Sequence, residues 1–174
     1  MNVLSVDQAT KTGFSVFKED DLFKYGCFDL SDVTRKSYGD TYFDEKVLNV
    51  QMFLERCIGE FEIDLVVMED IQKQQNVQTY KNLAFLQGAL KLYCYSNHIP
   101  YSILKPSEWR KVLKIKGRKR EEQKANSIKY VESKYGIIVS DDIADSICIN
   151  DSARILLKKN KLEIFKEYYT IYKR

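Results

Sequence analysis

Apolar and polar positions change their period several times along the chain, and the changes mark out its elements. Residues 2–6 (Asn-Val-Leu-Ser-Val) and 12–18 (Thr-Gly-Phe-Ser-Val-Phe-Lys) alternate or run apolar, and residues 21–29 continue in the same manner, which predicts a meander of three antiparallel strands. Over residues 41–61 the apolar positions Phe43, Val47, Val50, Phe53, Leu54, Cys57 and Ile58 recur at three- and four-residue spacing and predict an amphipathic helix. Residues 64–69 (Asp-Leu-Val-Val-Met-Glu) form a short β-branched and apolar run, the mark of a strand buried on both faces. A loop rich in Gln and Asn (72–78) leads to a second helical pattern over 80–95, with Leu83, Leu86, Leu90 and Tyr93 on one stripe, and residues 100–104 read as another strand. Pro106 suits the first position of a short helix ending at Leu113. Beyond a basic loop at 114–120, helical spacing returns at Ile128, Val131 and Tyr135 and stops at Gly136. A helix over 142–158, capped by Ser140 or Asp141, and an amphipathic segment over 162–172 carrying Ile164, Phe165, Tyr168 and Ile171 complete the chain. No repeat or linker interrupts this order, so one α/β domain is expected over residues 1–174, with the order βββ-α-β-α-β-α-α-α and residues 160–174 as a C-terminal helical extension.

Composition narrows the class. With 174 residues, 44% hydrophobic, 30% charged and a net charge of +3, the chain has too much apolar content and too little net charge for disorder. The longest apolar stretch, residues 65–68, is far short of the roughly 18–20 residues a membrane helix needs. The start, Met-Asn-Val-Leu-Ser-Val-Asp, has no basic segment ahead of an apolar one, so no cleaved signal peptide and no membrane association are expected, and the cytoplasm is the expected compartment. Cys27, Cys57, Cys94 and Cys148 lie far apart with only His98 as an imidazole partner, which excludes a zinc framework and points to reduced, mostly buried thiols. The charge is unevenly spread. Between Lys105 and Lys134 eleven Lys or Arg face four Glu, so one segment carries a positive excess of seven while the remainder is net acidic.

The candidate chemistry lies in four acids. Asp7 ends the first strand and Glu69 the fourth, and in a sheet of this order those strands are parallel neighbours, so both carboxylates emerge at one edge. Asp142 and Asp145, three residues apart, share one face at the start of a helix. Oxygen-only ligands suit Mg²⁺, with Mn²⁺ as a substitute, and carboxylates set this close need a cation to offset their repulsion. Two such ions about 4 Å apart can drive in-line hydrolysis of a phosphodiester. Each acid also has an ordinary reading: Asp142 and Asp145 as helix-dipole partners, Glu69 as a solvated strand end, Asp7 as the start of a turn. The four in this order on these elements favour the metal site.

The same residues carry a resemblance. Ser5-Val6-Asp7-Gln8 with Thr12-Gly13-Phe14, then Val66-Val67-Met68-Glu69, then Asp142-Ile143-Ala144-Asp145-Ser146-Ile147 resembles the RuvC family of Holliday junction resolvases, members of the RNase H-like superfamily. Pro106-Ser107-Glu108-Trp109-Arg110-Lys111 looks especially like the small resolvases of bacteriophages of Gram-positive hosts, for which the compartment would be the bacterial cytoplasm. The resemblance spans roughly residues 2–156. It implies an RNase H-like fold with a mixed five-stranded sheet, three strands antiparallel and two parallel, flanked by helices. It also implies two divalent ions held by Asp7, Glu69, Asp142 and Asp145, and a homodimer that nicks two strands of like polarity in a four-way DNA junction, leaving 5′-phosphate and 3′-hydroxyl ends. The helix beginning near Tyr80 would supply much of the dimer interface, although its Leu83, Leu86, Leu90 and Tyr93 stripe could equally be core. Cellular members usually carry an aromatic residue three positions after the Glu; Gln72 stands there, so relaxed sequence preference is expected.

A site built of carboxylates repels a polyanion, and the basic segment supplies the counterweight. Lys111, Lys116, Arg118, Lys119, Arg120 and Lys124 are the candidate DNA contacts, with Lys111 and Lys124 the nearest matches to the family's functional lysines. The alternative for this segment is a solvated face. Two other functions remain open on sequence alone: an RNase H-like nuclease acting on RNA or RNA–DNA hybrids, and a catalytically silent module that binds branched DNA. A sugar-kinase phosphate loop, which the stretch around Asp7 also resembles, would need a second domain and more glycines than the 7 present.

Overall fold

A computed structural model of the chain describes residues 1–72 and 76–165. Strands β1 (Asn2–Asp7), β2 (Lys11–Lys18) and β3 (Asp21–Asp29) form the antiparallel meander, and β4 (Leu65–Glu69) and β5 (Tyr101–Leu104) are added in parallel to give the order β3-β2-β1-β4-β5. The helices are α1 (Arg35–Tyr38), α2 (Tyr42–Phe61), α3 (Val77–Ser96), α4 (Pro106–Leu113), α5 (Arg120–Tyr135) and α6 (Asp141–Lys158). The mixed sheet flanked by helices is the one expected.

Side chains alternate across the sheet and build a separate core on each face. Leu4, Val6, Val66 and Met68 pack with Val50, Leu54 and Cys57 of α2 and Leu86, Leu90 and Cys94 of α3. Val3, Leu65 and Val67 pack on the other face with Ala144, Ile147 and Cys148 of α6, Trp109 of α4 and Val131 of α5. Helix α6 lies between the sheet and α4 and α5, so residues 144–153 are buried without interruption. Close approach to the sheet explains its small and polar side chains. Ser5 Oγ donates to the Ser146 carbonyl at 2.7 Å, and Asn150 Nδ2 donates to the Val3 carbonyl at 2.9 Å.

The structure departs from the sequence pattern in three places. Helix α3 begins at Val77 rather than Tyr80, because the Asn76 side chain caps it by accepting from the Gln78 and Thr79 amides at 2.9 and 3.1 Å. A short helix, α1, and a 3₁₀ turn (Gly39–Thr41) precede α2. The helix expected over 162–172 is absent from residues 162–165. Leu162 and Ile164 instead lean on the α6-side core, Phe165 makes an antiparallel bridge to Tyr101, and their rings stack at 5.1 Å. The bridge satisfies backbone groups of the edge strand β5, which a helix could not do. Tyr168 and Ile171 lie outside the described residues. Of the four thiols, Cys57, Cys94 and Cys148 are buried and Cys27 is exposed. Among the described residues no helix is long and apolar enough to cross a membrane.

Candidate active site

The alternation that builds the two cores also aims the strand-end carboxylates. With Leu4 and Val6 directed toward α2 and α3, Asp7 falls on the α6 side, and with Val66 and Met68 directed the same way, so does Glu69. The parallel register pairs Val6 with Met68 and so sets Asp7 beside Glu69. Across β1, Asp7 pairs with Gly13 of β2, and the first turn of α6 descends directly onto that glycine. A Cβ at position 13 would stand 1.9 Å from the Asp142 carbonyl oxygen. The missing side chain therefore lets the helix bring Asp142 and Asp145 to the sheet edge.

The four acids line one cavity of about 340 Å³ together with Arg110, Arg118, Arg120 and Lys124. Burial, followed by the Glu69, Asp145 and Asp142 charges, holds the Asp7 carboxyl well above its ordinary value. Burial likewise raises Glu69 and Asp145, and burial with the adjacent Asp141 raises Asp142. Asp145 is 6% exposed, and its Oδ1 is buried with no hydrogen-bond partner. An all-oxygen donor set, mutual repulsion and an unpartnered carboxylate oxygen fit a hard divalent cation. Among the described residues no three acids, thiols or imidazoles already stand close enough to enclose an ion, so coordination would draw these side chains inward.

Two neighbours of the acids were not singled out by sequence reasoning. Trp109 Nε1 donates to Glu69 Oε1 at 2.8 Å, and Arg110 reaches within 4.0 Å of Asp145 Oδ2. A signal did exist: the apolar side of the short α4 pattern contains Trp109, and a buried indole needs an acceptor. Of the proposed DNA contacts, Arg118, Arg120 and Lys124 line the cavity, and Lys111 lines an adjoining depression with Arg110, Ser107, Gln72 and Gln123. Lys116 and Lys119 are exposed but do not line the cavity with the acids. Lys124 is already ion-paired with Asp141, which holds that carboxyl low. Gln72 and Leu83 reach the cavity wall, whereas Leu86 and Leu90 from the same stripe are core and Tyr80 is exposed.

A family model described as crossover junction endodeoxyribonuclease RuvC matches residues 3–151. No curated protein matches the chain in sequence. Among solved structures, RuvC of T. thermophilus in complex with Holliday junction substrate superposes with a TM-score of 0.76 at 13% identity, covering 95% of this chain and 100% of that one. The Fowlpox virus resolvase, solved with substrate Holliday junction DNA, gives 0.57 at 17% identity over 90% of this chain and 99% of that one. The yeast mitochondrial Holliday junction resolvase gives 0.57 at 15% identity over 91% and 81%. At such identities these likenesses speak to the fold.

Proposed function

Because this chain belongs to the RuvC family of crossover junction endodeoxyribonucleases, we propose that it resolves four-way DNA junctions by hydrolysing one phosphodiester in each of two strands of like polarity, leaving 5′-phosphate and 3′-hydroxyl ends. The observation that carries this reading is the convergence of Asp7, Glu69, Asp142 and Asp145 on one cavity rimmed by Arg110, Arg118, Arg120 and Lys124. Two Mg²⁺ ions, or Mn²⁺ in their place, would supply an activated water and stabilisation of the leaving oxygen. Asp7 would be the central ligand, since it stands beside Glu69 across the parallel register and opposite Gly13, where the α6 turn carrying Asp142 and Asp145 comes down. Glu69, Asp142 and Asp145 would complete the ligand set. Arg118 and Arg120 hold backbone phosphates at the mouth, offsetting the field of the acids.

A second copy of the chain completes the enzyme. Phe85 and Leu92 of α3 are 57% and 65% exposed, and Leu48 and Met52 of α2 are 50% and 59% exposed, an apolar helical face that a homodimer would bury. Leu83 carries α3 from that face to the cavity wall, so the dimer would set the spacing of two cavities on one junction. Gln72 at the wall, in place of an aromatic wedge, supports cleavage directed by structure with relaxed sequence choice.

The test is incubation with labelled four-way junction, linear duplex and RNA–DNA hybrid, with and without Mg²⁺, alongside Asp7→Asn. Paired symmetric nicks confined to the junction and lost in the variant are expected. Cleavage of the hybrid alone would move the activity to RNA, and cleavage of nothing would leave a DNA-binding module.

A further inference from the structure

Trp109 is the only tryptophan of the chain, and its side chain is fully buried. Its indole N–H donates to a carboxylate, Glu69 Oε1, at 2.8 Å. The next residue lies over the face of the same ring system: the Arg110 guanidinium carbon is 4.3 Å from the ring centroid, with one amino group 4.0 Å from Asp145 Oδ2. The Arg110 Nε is buried without a hydrogen-bond partner. Helix α4 that carries both residues is fixed to α6, since Ser152 Oγ donates to the Trp109 carbonyl at 2.9 Å. One buried ring therefore touches one of the four acids directly and aims a cation at a second.

We propose that Trp109 is a positioning residue for the divalent-ion site, holding one oxygen of Glu69 so that the other is presented to an ion, and bracing Arg110 beside Asp145. The inference rests on the metal-site reading above. Its physical basis is the choice of donor. A neutral N–H fixes the carboxylate without supplying a counter-charge of its own, so Glu69 keeps its attraction for a cation. Partners behind a metal ligand fix its orientation, and losing one typically weakens metal affinity 10–100-fold. Packing alone would ask only for a large apolar ring at position 109.

That difference supplies the test. Trp109→Phe keeps a ring in the core and removes the N–H. Calorimetric titration of the full-length protein with Mn²⁺ is expected to give a half-saturating concentration about 10-fold higher in Trp109→Phe than in the wild type. Equal half-saturation in a variant whose thermal transition stays cooperative would overturn the inference while leaving the metal site intact. Absence of Mn²⁺ binding by the wild type itself would overturn the metal-site reading and this inference with it. A second measurement avoids the variant altogether: as the sole tryptophan, Trp109 should change its emission on addition of Mg²⁺, with the midpoint of the calorimetric curve, and Asp7→Asn should abolish the change. Ion binding with constant emission would show that the indole does not sense Glu69 and would likewise overturn the inference.

Discussion

Burial and the charges of Glu69, Asp145 and Asp142 hold the Asp7 carboxyl above its ordinary value of 3.8, and burial moves Glu69 and Asp145 in the same direction. A carboxyl raised in the folded state binds more protons there than in the unfolded chain. Its stabilising contribution is complete below the unfolded value and is lost as pH climbs through the folded one. Asp141, held low by its hydrogen bond to Lys124, works the other way, contributing above 3.8 and losing that contribution as pH falls. The ion-free protein should thus melt at a higher temperature in mildly acidic buffer than at neutral pH, and saturating Mg²⁺ should remove most of the difference. Asp7→Asn should raise the ion-free melting temperature at neutral pH by roughly 2–4 °C for each kcal/mol of repulsion relieved, while abolishing cleavage. A flat profile, or a variant that melts lower, would contradict the charge crowding. Asp7 and Glu69 were legible because an acid closing an apolar strand is conspicuous in sequence. Arg110 was not legible, because nothing in a basic segment distinguishes the one cation turned toward the acids from those turned to solvent.

Helix α6 shows how one element can be placed by a residue on another. Its buried stretch mixes apolar side chains with small and polar ones such as Ala144, Ser146 and Asn150, and Gly13 leaves the space into which the Asp142 backbone descends. Gly13→Ala would push a methyl to within 1.9 Å of a carbonyl oxygen, too near for any local adjustment, so the helix start must rise. We expect a loss of about 1–3 kcal/mol, the usual cost of overpacking, together with a drop in divalent-ion affinity measured by calorimetry. A variant with lower stability but unchanged ion affinity would place the strain somewhere other than the Asp142–Asp145 turn. The helix itself was legible from residue 142 onward. Its central position was not, because a helix covered on all sides lacks the one-sided stripe that periodicity reads.

The molecule as a whole presents a basic rim on one side of an acidic cavity and an apolar face on α2 and α3. Neutralising Arg118 and Arg120 should weaken junction binding and reduce the slope of log affinity against log salt by about 0.9 for each phosphate left without its cation, as read by fluorescence anisotropy. A weakened complex with an unchanged slope would mean that these side chains do not meet phosphates. For the homodimer proposed above, Leu92→Glu, a charge on a side chain 65% exposed, should leave the monomer folded and shift sedimentation from dimer to monomer. Junction cutting in such a variant should lose its symmetry, with single nicks replacing paired ones. A dimer that persists would place the subunit interface elsewhere.

Local pattern was enough for the five strands, the order of the longer helices and the placing of four acids at strand and helix ends, because strand and helix periods, strand-end charges and the Asp-x-x-Asp spacing are properties of short stretches of chain. It also located the excess of positive charge within one segment. The folded arrangement was needed to establish which of those cations meet the acids, that Trp109 holds Glu69, that Gly13 admits α6, and that Phe165 bridges to Tyr101 of β5. Each of these depends on residues distant in sequence meeting in space, or on the direction a side chain takes from a helix whose packing is fixed by the rest of the fold. Period and composition carry no information about such meetings.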